Sequence, residues 1–142
     1  MHFEVTEQPL SPLSLVQHVR KDEAGAVVLF FGVVRDHNLG RKVECLEYDA
    51  YPEMAEKVMR EIAREMCNEW QVTDIAIQHR TGRLAIGEAS LLVAVSSPHR
   101  RAAFEAASAL VDRFKETVPV WKKEVFDVGE EWLEGDPSAR ER

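Results

Sequence analysis

Cationic side chains gather in one stretch of this 142-residue chain, Ser96 to Glu124, which reads SSPHRRAAFEAASALVDRFKETVPVWKKE. His99, Arg100 and Arg101 stand at the expected start of a helix, Lys115 near its end, and Lys122 and Lys123 just beyond it. Amines, guanidinium groups and imidazoles bind anions, polarise carbonyls and move protons. The chain as a whole is acidic, with 18 Lys+Arg against 25 Asp+Glu and a formal charge of -7. The cations therefore point to a local anionic ligand and not to a generally basic surface. At a helix start each exposed cation opposes the macrodipole by about 0.3–1 kcal/mol. A bound anion offsets that cost and uses the free N–H groups of the first turn; a merely solvated helix start is the alternative.

The other cations carry their own alternatives. Lys115 sits where a helix favours positive charge, so a surface role explains it as well as a catalytic one. Lys122 and Lys123 adjoin Trp121 in an expected strand. Successive strand residues point to opposite faces, so at most one of the two faces a given pocket. Arg35, with Asp36, His37, Arg41 and Lys42 around it, closes a long apolar run. The end of such a strand is a rigid launch point for a functional side chain, or simply the place where the strand meets water. Arg100 and Lys115 lie roughly 22 Å apart along one helix axis. A small phosphorylated ligand does not bridge them within one copy; a second subunit or a large partner must join the two ends.

No nucleophilic triad, P-loop, GxGxxG fingerprint or metal-spaced Cys/His cluster is present in the sequence, so no metal or cofactor is expected. Cys45 and Cys67 are isolated and read as small buried groups in a reducing cytoplasm. His2, His18 and the His79-Arg80 pair read as structural or solvated. The cationic inventory fits a reaction whose nucleophile is supplied from elsewhere.

The elements that must position these groups follow from the pattern. His2 to Glu7 alternates as a strand. Ser11-Pro12 opens a short helix reaching about Lys21. Ala26 to Arg35 reads as a buried strand, and the turn Asp36 to Gly40 leads to a second strand, Val43 to Tyr51. After Pro52 an amphipathic helix carries Met54, Val58, Ile62 and Met66, backed by Ala55, Met59 and Ala63. Val72 to Arg80 and Ala89 to Ser96 are strands. The helix of the opening stretch is expected to be capped by Ser97 with Pro98 at its first position, and to bury Ala103, Phe104, Ala107, Leu110, Val111 and Phe114. Pro119 ends it, and Val120 to Val128 is a last strand. The fold class is α+β, a mixed sheet with three helices. One domain, residues 1–135, is expected, with 136–142 a mobile tail.

Five segments carry a family resemblance: GAVVLFFGVVRDHNLGRKV, LEYDAYPEMAEKVMREI, HRTGRLAIGE, VSSPHRRAAFEA and FKETVPVWKKE, in this order and followed by Glu131-Trp132. Together they span Ala24 to Leu133, and the sequence resembles the large, catalytic subunit of molybdopterin synthase. Asp36 and Asp49 depart from the Asn and Glu frequent in that family. The resemblance implies an α/β-hammerhead fold and a homodimer within a heterotetramer. The partner would be a small ubiquitin-like sulfur-carrier subunit whose Gly-Gly C-terminus arrives as a thiocarboxylate, and the substrate would be cyclic pyranopterin monophosphate. Two sulfur transfers would make the dithiolene of molybdopterin. By that resemblance Lys115 and Lys122 are the catalytic lysines, and Arg35, His99 and Arg100 belong to the substrate pocket. Val33, Val34, Lys123 and Glu124 are its neighbours. His99 and Arg100 would reach the pocket of the neighbouring copy.

A competing reading is a non-catalytic module that binds a ubiquitin-like tail or a phosphorylated metabolite. An RNA-binding domain is disfavoured by the charge and by the lack of a stacking motif, so no nucleic-acid partner is expected. The longest apolar run is too short to cross a bilayer and the N-terminus lacks a secretory pattern, so the chain is expected in the cytoplasm with no membrane partner.

Overall fold

The computed structural model describes residues 1–126 and, as backbone, 129–134; the expected tail, 136–142, lies outside the described residues. The strands are β1 (His2–Thr6), β2 (Ala26–Val33), β3 (His37–Asn38), β4 (Arg41–Ala50), β5 (Asp74–Arg80), β6 (Gly82–Ala85), β7 (Ala89–Ser97), β8 (Val120–Phe126) and β9 (Gly129–Glu134). The helices are α1 (Pro12–Val19), α2 (Pro52–Glu69) and α3 (Arg100–Thr117). The class is α+β, with three helices and a mixed sheet.

That mixed sheet runs β1-β5-β7-β2, with β1 parallel to β5 and the other pairs antiparallel. A second sheet, not separable in the strand pattern, runs β3-β4-β8-β9 with β6 also on β4. The first sheet packs α2 and α3 on one face, where Met59, Ile62, Met66, Ile77, Val93 and Leu110 form the main core. Each such side chain contributes about 1.5–3 kcal/mol by leaving water. Helix α1 covers the other face through Leu15 and Val19, against Ala76, Leu92 and Ala94.

Several local expectations shift. Strand β2 is an edge strand, not a buried one: Val27, Phe31 and Val33 are exposed on it. Its apolar run reflects a half-covered strand beside a cavity. Ser97 belongs to β7, and the N-cap position of α3 is His99, with no side-chain cap. The Ser97 hydroxyl instead donates to Gln71 O at 2.7 Å and accepts from the His99 backbone N–H at 3.3 Å. Phe104 is 61% exposed and Met54 57%, while Ala106 is buried in place of Phe104. A four-fold repeat reads a helix stripe one position off when both neighbouring rows are apolar. Strands β3, β6 and β9 were not expected, because each is short or lies in charged sequence, and β3 takes up His37 and Asn38 of the expected turn.

Candidate active site

A cavity of about 290 Å³ opens where the two sheets meet the end of α3. Seven strands and helices and one loop contribute to its walls. Phe30 to Val33 come from β2, Arg35 from the loop after it, and Asn38 from β3. Val43, Leu46 and Tyr48 come from β4, His79 from β5, and Ser90 and Leu91 from β7. Phe114 and Lys115 close it from α3, and Val120, Lys122 and Glu124 from β8.

Strand alternation sorts the two adjacent lysines. Lys122 stands opposite Tyr48 and Glu124 opposite Leu46 in the β4–β8 ladder, and all four face the cavity. Lys123 falls opposite Glu47 on the other face, its Nζ 3.0 Å from the Glu47 carboxylate. Arg83 on β6 approaches the same carboxylate from the far side at 3.7 Å. Lys123 is thus one rung of a charge ladder away from the cavity. Val34 likewise turns away, 2% exposed among Val43, Leu46, Leu84 and Phe126.

The floor of the cavity is charged and well connected. Glu124 is 1% exposed, and its Oε1 accepts a 2.7 Å hydrogen bond from Asn38 Nδ2. The Lys122 ammonium lies 3.8 Å from the same oxygen, with its side chain only 11% exposed. Asn38 Oδ1 in turn accepts from the Arg35 guanidinium at 3.1 Å. A buried carboxylate needs such partners, because an uncompensated one costs several kcal/mol. One wall is aromatic: His79 stacks on Phe114 at 5.6 Å between centroids and meets Tyr48 edge-on at 5.1 Å.

His99, Arg100 and Arg101 are exposed at the other end of α3 and do not line this cavity. The first turn of α3 contains no acidic residue. Among the expected site residues the structure therefore joins Val33, Arg35, Lys115, Lys122 and Glu124, and leaves His99 and Arg100 apart within one chain. Neither cysteine lines the cavity. Burial first, and Asp74 second, push the Cys67 thiol up, the reverse of what an activated thiolate needs. Sequence reasoning missed Tyr48, His79 and Asn38. Each is a single residue on its own strand, and only cross-strand register brings them together.

Residues 5–117 match the family model described as MoaE protein. The chain belongs to the MoaE protein family. This MoaE-family chain is 52% identical over 118 residues to the molybdopterin synthase catalytic subunit of Pyrococcus abyssi, covering 83% of the chain and 80% of the relative. It is 44% identical over 131 residues to that of Bacillus subtilis, covering 92% and 83%. The crystal structure of molybdopterin synthase from Staphylococcus aureus superimposes with a TM-score of 0.88 at 40% identity, over 92% of this chain and 96% of that one. Membership places the MoaE-family chain in the catalytic-subunit class of molybdopterin synthase, a sulfur-transferring enzyme of molybdenum cofactor biosynthesis.

Proposed function

We propose that the cavity takes the thiocarboxylated Gly-Gly terminus of a small ubiquitin-like sulfur carrier and passes its sulfur, twice, to cyclic pyranopterin monophosphate to make molybdopterin. The observation that carries this reading is the convergence of Lys115 and Lys122, from a helix end and a strand, on one cavity that also holds Arg35. In each transfer the thiocarboxylate sulfur donates an electron pair to a substrate carbon and forms the new C–S bond, while a C–O bond at that carbon breaks and its oxygen leaves with the bonding pair, taking a proton from a lysine ammonium. Water then cleaves the acyl–sulfur bond, releasing the carrier as a carboxylate and leaving the sulfur on the pterin. Negative charge develops on the substrate and acyl oxygens, and positioned ammonium groups stabilise it. Lys115, half-buried at the helix end, meets the acyl terminus; Lys122, set by Glu124, serves the substrate side.

The substrate phosphate is held by Arg35 together with His99 and Arg100 of a second copy. What supports this sharing is the free edge of β2. Among the described residues β2 pairs only with β7. Its first residue, Ala26, lies opposite Ser97, two positions before His99. Its last, Val33, borders the cavity. Antiparallel pairing of β2 with β2 of a second copy would set the start of one strand beside the end of the other. The eight-residue strand covers about 23 Å, close to the roughly 22 Å that separates the two ends of α3 sites. The exposed Val27, Phe31 and Val33 would be covered by that contact. A heterotetramer, two such chains each with one carrier, is the resulting assembly.

Both described cysteines are free, which fits the reducing cytoplasm proposed for this transfer; no described helix is long and apolar enough to cross a membrane. The test is to incubate the chain with thiocarboxylated carrier and cyclic pyranopterin monophosphate and assay molybdopterin. Product is expected, and its absence would sink the reading.

A further inference from the structure

We infer that Asn38 is a positioning residue, a short amide spacer that holds Arg35 and the Glu124–Lys122 pair at fixed separation without letting the opposite charges of Arg35 and Glu124 meet. This deepens the sulfur-transfer reading and rests on it for what the cavity does, though not for the geometry.

Asn38 is 5% exposed. Its Oδ1 accepts from Arg35 at 3.1 Å and its Nδ2 donates to Glu124 Oε1 at 2.7 Å. The Lys122 ammonium lies 3.8 Å beyond. The order is guanidinium, amide, carboxylate, ammonium. A guanidinium only donates and a carboxylate only accepts, so the two neighbours fix which end of the amide is oxygen. Aspartate in this place would have no donor for Glu124, and an apolar residue would have neither function. Without the spacer, Arg35 and Glu124 would form a direct, charge-assisted pair. Such a pair would consume the guanidinium donors that an anionic substrate needs and draw Glu124 from Lys122. The second oxygen, Glu124 Oε2, is buried and has no hydrogen-bond partner among the described residues, and among those residues Asn38 gives this carboxylate its short hydrogen bond.

A second observation comes from the turn that carries Asn38. Strand β3 pairs His37 with Lys42 and Asn38 with Arg41, and the two turn residues, Leu39 and Gly40, have φ of 51° and 77°. Left-handed backbone suits Gly40, but for leucine it costs about 1–2 kcal/mol. Leu39 is 69% exposed, so burial does not compensate. Strain of this kind persists where the surroundings over-determine the conformation. Here the surroundings are the buried hydrogen bond of Asn38 to Glu124, its part-buried one from Arg35, and the closing bond from Val43 N–H to Asp36 O at 2.8 Å.

Three variants test the spacer in the assembled enzyme with thiocarboxylated carrier. Asn38→Ala is expected to raise KM for the cyclic pterin about tenfold and lower kcat by a similar factor, because both ends of the chain lose position. A purely structural role would lower the folded fraction and leave KM unchanged. Asn38→Asp, which sets a carboxylate against Arg35 and leaves Glu124 without a donor, should lose at least as much as Asn38→Ala, whereas Asn38→Gln, which keeps an acceptor and a donor, should retain more activity than either. Both constants within about twofold of wild type in Asn38→Ala, or wild-type activity in Asn38→Asp, would overturn the inference. A crystal structure of Asn38→Ala decides independently of turnover. Arg35 should swing into direct contact with Glu124, and an unmoved Arg35 would contradict the spacer. If the wild type makes no molybdopterin, the sulfur-transfer reading fails, and this structural comparison still judges Asn38.

Discussion

Lys122 and Glu124 project from the same face of β8, the ammonium 3.8 Å from a carboxylate that is 1% exposed. Between them Lys123 turns to the opposite face and pairs with Glu47. This single alternation decides which of two neighbouring lysines enters the cavity, and it sets the other in a part-buried ion pair on the opposite face. The buried Glu124 carboxylate holds the Lys122 ammonium at the cavity, because leaving either charge uncompensated there costs several kcal/mol.

The proposed sharing of a phosphate site between copies predicts complementation. Arg100→Ala should weaken cyclic pterin binding about tenfold or more while leaving carrier binding nearly unchanged. Mixing Arg100→Ala and Lys115→Ala chains should then restore turnover, because one site in each mixed dimer regains both groups. Activity no greater than the two variants measured separately would place both residues in the same chain's site.

The start of α3 is set by a close backbone approach. A Cβ added at Gly25 would lie 2.5 Å from the Pro98 carbonyl oxygen, and Gly25 N–H already donates to Ser97 O at 3.0 Å. Gly25→Ala should cost about 1–3 kcal/mol in urea unfolding. It should also raise KM for the cyclic pterin, since His99 and Arg100 follow Pro98. Unchanged stability would contradict this packing.

Glu88 closes the turn between β6 and β7. Its carboxylate accepts from the Ala85 N–H and from Arg80, both at 2.8 Å. The Ala85 hydrogen bond first, and Arg80 second, hold it below its ordinary value of 4.5. A lowered folded value means that the stability is fully present above 4.5 and is lost as pH falls through that lower value. Glu88→Gln should therefore be less stable than wild type at neutral pH, with the difference closing as pH falls through that lowered value. A difference in unfolding midpoint that stays constant with pH would argue against the contact.

The class and most of the elements were legible because apolar spacing and proline punctuation report local structure. The boundaries failed where chemistry was ambiguous. Ser97 before Pro98 looks like a cap, yet its hydroxyl bonds Gln71 O and leaves the cap position to His99. The run Ala26 to Val34 looks buried, yet β2 is an edge whose partner on one side is another molecule in the proposed dimer. For the site, strand alternation correctly limited Lys122 and Lys123 to one inward member, and the length of α3 correctly kept its two ends apart. Asn38, Tyr48 and His79 were beyond reach, because β3, β4 and β5 bring them together only through register and sheet packing.

Lys115 and Lys122 carry the central claim, and single-turnover molybdopterin formation with saturating thiocarboxylated carrier tests it most directly. Lys115→Ala and Lys122→Ala should each lower the rate about 10²-fold or more while carrier affinity stays close to wild type. Wild-type rates in both variants, or losses of turnover matched by equal losses of carrier binding, would contradict a catalytic role and favour a cavity that only binds.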